Sequence, residues 1–353
     1  MINRHRVNLR SLIIVSLSVL LLLLSGCGRT GVETGMLTPS VLLRLDAEVG
    51  GRDFTFDAAG NIYLFNYMTN VIRKFNRGGE QLLEFGGNLE NGGPFTHLMD
   101  IEIFDEQLVA LDSVARFIFD LEGNFLERED FPEEIICEHP VVAPDGEFIG
   151  EWFDSAAAQS NLTLRGAGGT EQARLESYAL SEFIPAIVPG VDFFLSMNHM
   201  RSYRYGYLPG GSPVWASTDA FRINTLRDGE TVTLITGDFT PVPVPTDQVE
   251  TMRARSESLP QPLFMYVPDT WRVIHQLFIG SDGDIWIYLQ SLERTGFGRF
   301  SPRGREKAFF TFEGDFDPGN EDVMIRESEG SLWFLVPGRD EVTLYTAEIN
   351  HDR

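Results

Sequence analysis

A short unit of alternating strands and glycine-bearing turns repeats along the chain, and this repetition constrains the fold more than any other feature. The first copy, Phe54 to Gly87, contains four runs of alternating apolar and polar residues, joined in pairs by AAG and RGGE. Period-2 runs with such connections are typical of antiparallel strands. The start of the second run recurs in six places, at residues 60–63, 106–109, 146–149, 212–215, 283–286 and 330–333. A small sheet cannot bury both faces alone, so the repetition predicts stacking around a central axis.

Four of the six copies end this short motif with a large aromatic residue. These residues are Tyr63, Trp215, Trp286 and Trp333. Large rings bury much apolar surface, so we expect them to pack between neighbouring sheets rather than to stack on a cofactor.

The last unit provides three strands rather than four. Its runs are DVMIRES, SLWFLVPG and EVTLYTAEI. An orphan run, Ser40 to Val49, precedes the first full unit. We expect this run to complete the last sheet, because a closed ring leaves no open sheet edges.

The first unit resembles an NHL repeat, and residues 38–350 look like a six-bladed β-propeller of the NHL or TolB-like kind. The implied fold class is all-β, with six blades of four antiparallel strands, closed by the N-terminal strand. We expect the propeller to be a monomer.

The N-terminus has the pattern of an export signal. Three arginines precede the apolar run Leu12 to Leu24, which is too short to span a bilayer and is followed by small residues. The sequence LSGC, ending at Cys27, resembles the lipobox of bacterial lipoproteins, in which the cysteine is acylated. Residues 1–26 are then a signal peptide and residues 27–37 a lipidated tether. By the same resemblance, Gly28 implies sorting to the outer membrane, facing the periplasm. The alternative is a plain secretory signal that contains a cysteine by chance.

The chain is strongly acidic. Removing residues 1–26 lowers the count of Lys and Arg from 28 to 25 against 52 Asp and Glu, a net charge of −27. This charge repels nucleic acid and anionic lipid headgroups. Cys137 is the only other cysteine. Once Cys27 is acylated no intramolecular disulfide can form, so burial of apolar surface must hold the fold.

One segment interrupts the repeat between the fourth and fifth units, over residues 240–270. Its first part, Thr240 to Pro262, contains five prolines, which exclude a central strand. Thr246 is a plausible N-cap for a short helix with Arg253 and Arg255 near its end. The insertion is either a lid over one face of the ring or a solvated decoration.

The sequence lacks the strong catalytic and metal signatures, including GxSxG, HExxH, CxxC and the P-loop. One set of residues nevertheless shares a position. Each of them precedes the second strand of its unit by a similar number of residues. In a propeller this position is the start of the innermost strand, which lines the central channel. The set comprises Arg52, His97, His139, Arg204, His275 and either Glu321 or Asp322.

Three of these channel residues predict a divalent metal site. If the innermost strands begin at one mouth, His97, His139 and His275 would face one another with a carboxylate, and zinc uses such donors. The resemblance implies a precedent, since amidating lyases with NHL repeats bind metal through channel histidines. The alternative is an ordinary polar channel mouth with solvated histidines.

Two classes of function follow. The favoured one is a membrane-anchored extracytoplasmic lipoprotein whose propeller binds a protein, peptide or glycan, with no catalytic group and no firm cofactor. The alternative is a metal-dependent lyase or lactonase-like hydrolase that acts at the channel mouth.

Overall fold

The structure is a computed structural model that describes residues 32–349, except 47–50, 52, 67, 90–92, 136, 155–156, 158, 180–202, 258–269, 321 and 339. It contains 25 strands and one described helix, α1 (Thr246–Glu257), which follows β18. In chain order the strands are β1 (Glu33–Leu37), β2 (Ser40–Asp46), β3 (Asp53–Phe56), β4 (Ile62–Asn66), β5 (Val71–Phe75), β6 (Gln81–Gly86), β7 (Leu98–Phe104), β8 (Gln107–Asp112), β9 (Ala115–Asp120), β10 (Phe125–Asp130), β11 (Glu138–Val142), β12 (Phe148–Asp154), β13 (Gln159–Arg165), β14 (Glu171–Ala179), β15 (Tyr203–Tyr207), β16 (Pro213–Ser217), β17 (Arg222–Arg227), β18 (Glu230–Thr236), β19 (Ile274–Ile279), β20 (Ile285–Gln290), β21 (Thr295–Phe300), β22 (Glu306–Phe312), β23 (Met324–Ser328), β24 (Ser331–Pro337) and β25 (Glu341–Glu348).

The strands form six sheets arranged as a six-bladed β-propeller. From inside to outside, the blades are β3 to β6, β7 to β10, β11 to β14, β15 to β18, β19 to β22, and β23, β24, β25 and β2. The inner strands β3, β7, β11, β15, β19 and β23 contact one another in ring order. The all-β fold class and the six blades predicted from the repeat are confirmed.

The N-terminal strand closes the ring as predicted. β2 pairs antiparallel with β25, from Ser40 opposite Thr346 to Asp46 opposite Glu341. The sixth blade therefore takes its outer strand from the start of the domain, which ties the first blade to the last.

Part of the predicted tether is a strand instead. Within residues 27–37, β1 pairs parallel with β22 and adds a fifth strand to blade 5. Leu37, at its end, is fully buried among side chains of blades 5 and 6, including Phe310 and Phe334. The apolar side chain of Leu37 stabilises this strand, and the period-2 pattern of so short a segment could not predict the contact.

Large aromatic residues pack between blades, as predicted, but one does so in the opposite direction. Tyr63 packs with blade 2, Trp286 with blade 6, and Trp333 against Phe56 of blade 1. Trp215 faces the preceding blade, where its indole N–H donates to Glu176 at 3.0 Å. The position of the repeated motif in blade 4, predicted at residues 212–215, was therefore wrong by one residue. A shift of one residue turns every side chain to the other face of a strand.

The two faces of the ring carry different connections. Because each blade is antiparallel, all inner strands begin at one face, and the outer strand of each blade ends at that same face. The longest connections join β14 to β15 and β18 to β19. The opposite face carries tight hairpins between first and second strands, such as residues 57–61 and 280–284.

The predicted helix of the insertion is confirmed as α1, with its N-cap displaced. The carbonyl of Pro245 accepts from the N–H groups of Gln248 and Val249, so Thr246 is the first helical residue rather than the cap. The helix is polar and twelve residues long. The described part of the chain thus contains no helix able to cross a bilayer.

Candidate functional site: the central cavity

The inner strands enclose a cavity of about 360 Å³ on the propeller axis. It extends from Asp53 and Tyr203, at the starts of inner strands, to Phe104 and Leu208 near their ends. All six blades contribute to its wall. This volume is in the range of small-molecule binding sites.

One part of the wall, formed by blades 6, 1 and 2, contains a charged cluster around Arg326. The guanidinium of Arg326 donates to Glu102 Oε1 and, at 3.1 Å, to Asp53 Oδ2. Thr55 donates to Glu102 Oε2 at 3.1 Å. Alternation along β3, β7 and β23 places these side chains on the axis, while Phe54 and Ile325 between them pack into the core.

A third carboxyl group, that of Asp100, lies behind this cluster. Asp100 is 1% exposed, and its Oδ2 has no hydrogen-bond partner within the described structure. Burial raises the pKa of Asp100 well above its usual value, and the carboxylates of Glu102 and Asp53 raise it further. The geometry therefore favours the neutral form of Asp100, because closely packed carboxylates cannot all ionise.

The pKa values of Glu102 and Arg326 are both raised, but for different reasons. Burial raises the pKa of Glu102, although Arg326 opposes this shift. Burial acts to lower the pKa of Arg326, but Asp53 and Glu102 raise it above its ordinary value. The guanidinium is thus a permanent cation that the chain itself supplies to these carboxylates.

The wall formed by blades 3 and 4 presents a different carboxylate, Glu151, which is 8% exposed. Its Oε1 accepts from the hydroxyls of Ser160 and Tyr178, the latter at 3.1 Å. Its Oε2 accepts from the backbone N–H of Tyr203 at 3.3 Å. Burial and the charge of Glu151 raise the pKa of Tyr178, so that hydroxyl remains a donor. These contacts fix the orientation of a charged acceptor at the cavity.

Two of the predicted channel residues, Arg204 and His275, meet where blades 4 and 5 join. Arg204 lines the cavity and donates from Nε to the carbonyl of His275 at 2.6 Å. His275 is 9% exposed, and its Nδ1 donates to the carbonyl of Gly319 at 3.0 Å. This bond selects the tautomer in which Nε2 carries a lone pair, and Nε2 has no hydrogen-bond partner in the described ranges.

The environment keeps His275 neutral. Burial lowers its pKa below the usual value, and the nearby charges of Arg272 and Arg204 act in the same direction. The carbonyl of Gly319 and the carboxylate of Asp317 oppose the shift. A neutral imidazole with a buried lone pair can accept a proton or bind a metal.

Within the described residues, the other predicted channel residues do not come together with His275. The side chain of His97 is exposed, and its backbone N–H donates to Asp112 at 2.6 Å. His139 lies in β11, but its side chain is outside the described residues, as are Arg52, Glu321 and Cys27. Asp322 is exposed. Across the described ranges, no three His, Cys, Asp or Glu side chains form a group that could hold a metal.

The charged cluster was missed from the sequence, although a signal for it exists. Asp53, Asp100, Glu102 and Arg326 are charged residues within short runs that otherwise read as buried strands. Charged groups are almost never fully buried unless paired, so their presence in predicted inner strands indicates partners on the axis. The pairing itself joins residues 224 apart and depends on closure of the ring.

Similar proteins are found among solved structures, and each similarity is weak in sequence identity and in structural superposition. No protein-family model matches the sequence, and no curated protein is similar to it. Among solved structures, the chain is similar to virginiamycin B lyase from Staphylococcus aureus, with 12% identity, a TM-score of 0.43, and coverage of 84% of this chain and 81% of that one. A gluconolactonase from Xanthomonas campestris has 10% identity, a TM-score of 0.44, and coverage of 88% and 89%. Regucalcin, a calcium-binding protein from Agrobacterium tumefaciens, has 11% identity, a TM-score of 0.43, and coverage of 91% and 98%.

Proposed function

We propose that this chain is an exported, lipid-anchored propeller of the NHL or TolB-like kind, whose central cavity binds a short peptide, a glycan or an exposed segment of a protein. The observation that carries this proposal is the cavity itself, whose wall combines oriented polar groups with apolar side chains. Apolar contacts give such a site affinity, and a few fixed polar groups give it orientation.

The wall of the cavity supports recognition of an amphipathic ligand. Glu151 and Arg204 offer a fixed acceptor and a cationic side chain, while Tyr205, Leu277 and Met324 provide aromatic and aliphatic surface. Peptides and glycans combine apolar faces with donors and acceptors in this way. A folded domain is far too large for 360 Å³, so only a segment of a protein could enter.

The proposed anchor is supported by the leader and by the lipobox-like LSGC that ends at Cys27. We expect Cys27→Ser to abolish incorporation of labelled palmitate and to release the protein from membranes. Undiminished labelling of the variant would contradict the lipoprotein proposal.

Binding can be tested with pools of synthetic short peptides and short oligosaccharides. A pool that contains a ligand should raise the melting temperature of the purified protein, because the ligand binds only the folded ring. Met324→Trp should remove the shift by filling the cavity, whereas Leu292→Trp, at an exposed position on a hairpin outside it, should keep the shift. No shift from any pool would contradict the proposal.

A second candidate is a metal-dependent lyase or lactonase-like hydrolase. One observation favours it, the lone pair on Nε2 of buried, neutral His275. The proposed donors would be His275 with His97 and His139, and a bound metal would supply a Lewis acid at the mouth where the inner strands begin. His97 would have to turn inward from its exposed position.

Titration with zinc, calcium or manganese separates the two candidates. A metal site should produce binding heat and a raised melting temperature at neutral pH, both lost in His275→Ala. Binding should weaken as pH falls below about 6.5, because protons then compete for imidazole and the pKa of His275 is lowered from that value. Absence of heat and of a thermal shift with all three metals would exclude the metal-dependent candidate and leave the binding proposal unaffected.

A further inference from the structure

The N-terminal strand fixes the place at which the chain enters the propeller. β1 pairs along the outer edge of blade 5, from Glu33 opposite Ala308 to Leu37 opposite Phe312. The carbonyl of Leu37 also accepts from the N–H of Glu313 at 3.0 Å. Together with the burial of Leu37, these bonds hold the entry point on the outer rim of the ring rather than on either face.

The covalent distance from this entry point to Cys27 is short. Six residue steps separate Cys27 from Glu33, and an extended chain spans at most about 3.5 Å per step, so the two lie within about 20 Å of each other. A domain of this size has a radius of gyration of about 20 Å and a diameter of about 50 Å. A lipidated Cys27 would therefore hold the rim of blade 5 near the bilayer, with blade 2, on the opposite side of the ring, beyond its reach.

The side chains near the entry point suit a lipid surface. Three apolar side chains there are exposed. Val32, just before β1, is 42% exposed, Met36 in β1 is 53% exposed, and Val41 in β2 is 46% exposed. The segment between Cys27 and Val32 contains Arg29 and no acidic residue, in a chain that is otherwise strongly acidic. Apolar side chains and a cation are the groups that an interfacial segment places among lipid headgroups.

From this geometry we propose that the outer edge of blades 5 and 6, formed by β1 and β2, faces the surface of a lipid bilayer and that the propeller is held on its side. The inference rests on the proposed lipid anchor. In this orientation the ring axis lies parallel to the membrane, so both faces of the ring adjoin the aqueous compartment. A ligand can then reach the cavity without passing between the protein and the bilayer.

The test uses the full chain, lipidated and reconstituted into vesicles of zwitterionic phospholipid. A fluorophore is attached at Met36→Cys, or at Leu126→Cys in β10 on the rim of blade 2, each in a Cys137→Ser background. The two positions are matched, since Met36 is 53% and Leu126 is 50% exposed. Quenching by a lipid that carries a nitroxide on its headgroup reports closeness to the bilayer surface, and flotation with the vesicles reports the anchor.

We expect quenching to be several-fold stronger at position 36 than at position 126. Insertion of a thirty-residue Gly/Ser linker between Gly31 and Val32 should reduce this difference, because a flexible chain of that length spans about 30 Å on average. Equal quenching at both positions in protein that floats would overturn the orientation and leave the anchor intact.

Two other outcomes would also overturn the proposal, each for a distinct reason. Failure of the unlabelled protein to float would remove the anchor and the orientation with it. Disulfide-linked dimers of unlabelled Met36→Cys, with no quenching at position 36, would show that a second copy of the chain covers this edge instead.

Discussion

The two sides of the central cavity hold their charges in different ways. On the side formed by blades 6, 1 and 2, Arg326 lies among Asp53, Glu102 and Asp100, so the chain supplies its own cation to its own carboxylates. On the side formed by blades 3, 4 and 5, Glu151 accepts from hydroxyls and a backbone N–H, while Arg204 donates to backbone carbonyls.

This difference separates a structural role from a binding role. Opposite charges in contact at low dielectric interact strongly with each other, so a ligand would gain little free energy by binding to them. The first side therefore mainly fixes how the ring closes. Hydroxyl and backbone donors instead fix the position of Glu151 in the wall of the cavity. We therefore expect ligands to be recognised by the side that contains Glu151, Arg204 and His275.

Removing the cation of the first side should have the largest effect. Arg326→Ala leaves Asp53 and Glu102 without their guanidinium and should cost about 3 kcal/mol of unfolding free energy, the lower end of the range for broken buried pairs, because 24% of the Arg326 side chain is exposed. Arg44→Ala breaks a pair with Glu341 in which both side chains are about half exposed. It should cost at most about 1 kcal/mol. Urea unfolding measures both, and equal losses would contradict a structural role for the cluster.

Removing a donor of the second side should have a smaller effect on stability. Tyr178→Phe deletes a hydrogen bond to Glu151 and should cost about 1.5–3 kcal/mol, the range for bonds to charged groups. Thr55→Val deletes the corresponding donor to Glu102, which keeps Arg326 as a partner, so the loss there should be smaller. The same unfolding measurement ranks the two variants, and a larger loss for Thr55→Val would reverse the comparison.

The buried proton of the first side should make stability depend on pH. Because the pKa of Asp100 is raised, the folded state keeps a proton that the unfolded chain loses above pH 3.8, so this group lowers stability as pH rises from 3.8. Asp100→Asn should therefore stabilise the protein, and its gain in melting temperature should grow from pH 4 to pH 8.

A second carboxyl group provides a control of opposite sign. Burial acts to raise the pKa of Asp282, but hydrogen bonds from Asp284 and Arg299 lower it overall. Its contribution to stability is present above pH 3.8 and is lost as pH falls below that value. Asp282→Asn should destabilise the protein at neutral pH, and parallel profiles for the two Asn variants would contradict the assignment.

The smallest expected effect concerns His275. Its pKa is lowered below 6.5 by burial, so below that pH the unfolded chain binds a proton that the folded state resists. Stability should fall as pH drops from 6.5 through the folded pKa. His275→Gln, measured with a chelator present, should reduce the fall in melting temperature between pH 7 and pH 5. His97→Gln, which removes an exposed imidazole, should leave the contribution of His275 in place.

The architecture could be predicted from the sequence because each blade repeats a local pattern. Alternation and glycine turns specify a four-stranded sheet, and the orphan run at Ser40 supplied the missing strand of the last blade. The alignment of blade 4 was wrong by one residue, because Pro213 and the adjacent glycines leave the start of β16 poorly defined by pattern alone.

The cavity could be predicted only in part. The shared offset brought Arg204 and His275 to the same place in the ring, since neighbouring inner strands begin together. It did not bring the exposed side chain of His97 to them, because the offset fixes a height along the axis and not the direction of a side chain. The contact of Arg326 with Glu102 depends on closure of the ring, and no local pattern contains it.

The central claim is that the cavity on the propeller axis is the binding site. Native mass spectrometry of the purified protein, mixed with the peptide and oligosaccharide pools, tests this claim most directly when the wild type, Met324→Trp and Leu292→Trp are compared at equal folded fraction. We expect a one-to-one adduct with the wild type and with Leu292→Trp, and none with Met324→Trp. Adducts of equal intensity with both Trp variants, or none with the wild type, would contradict the claim.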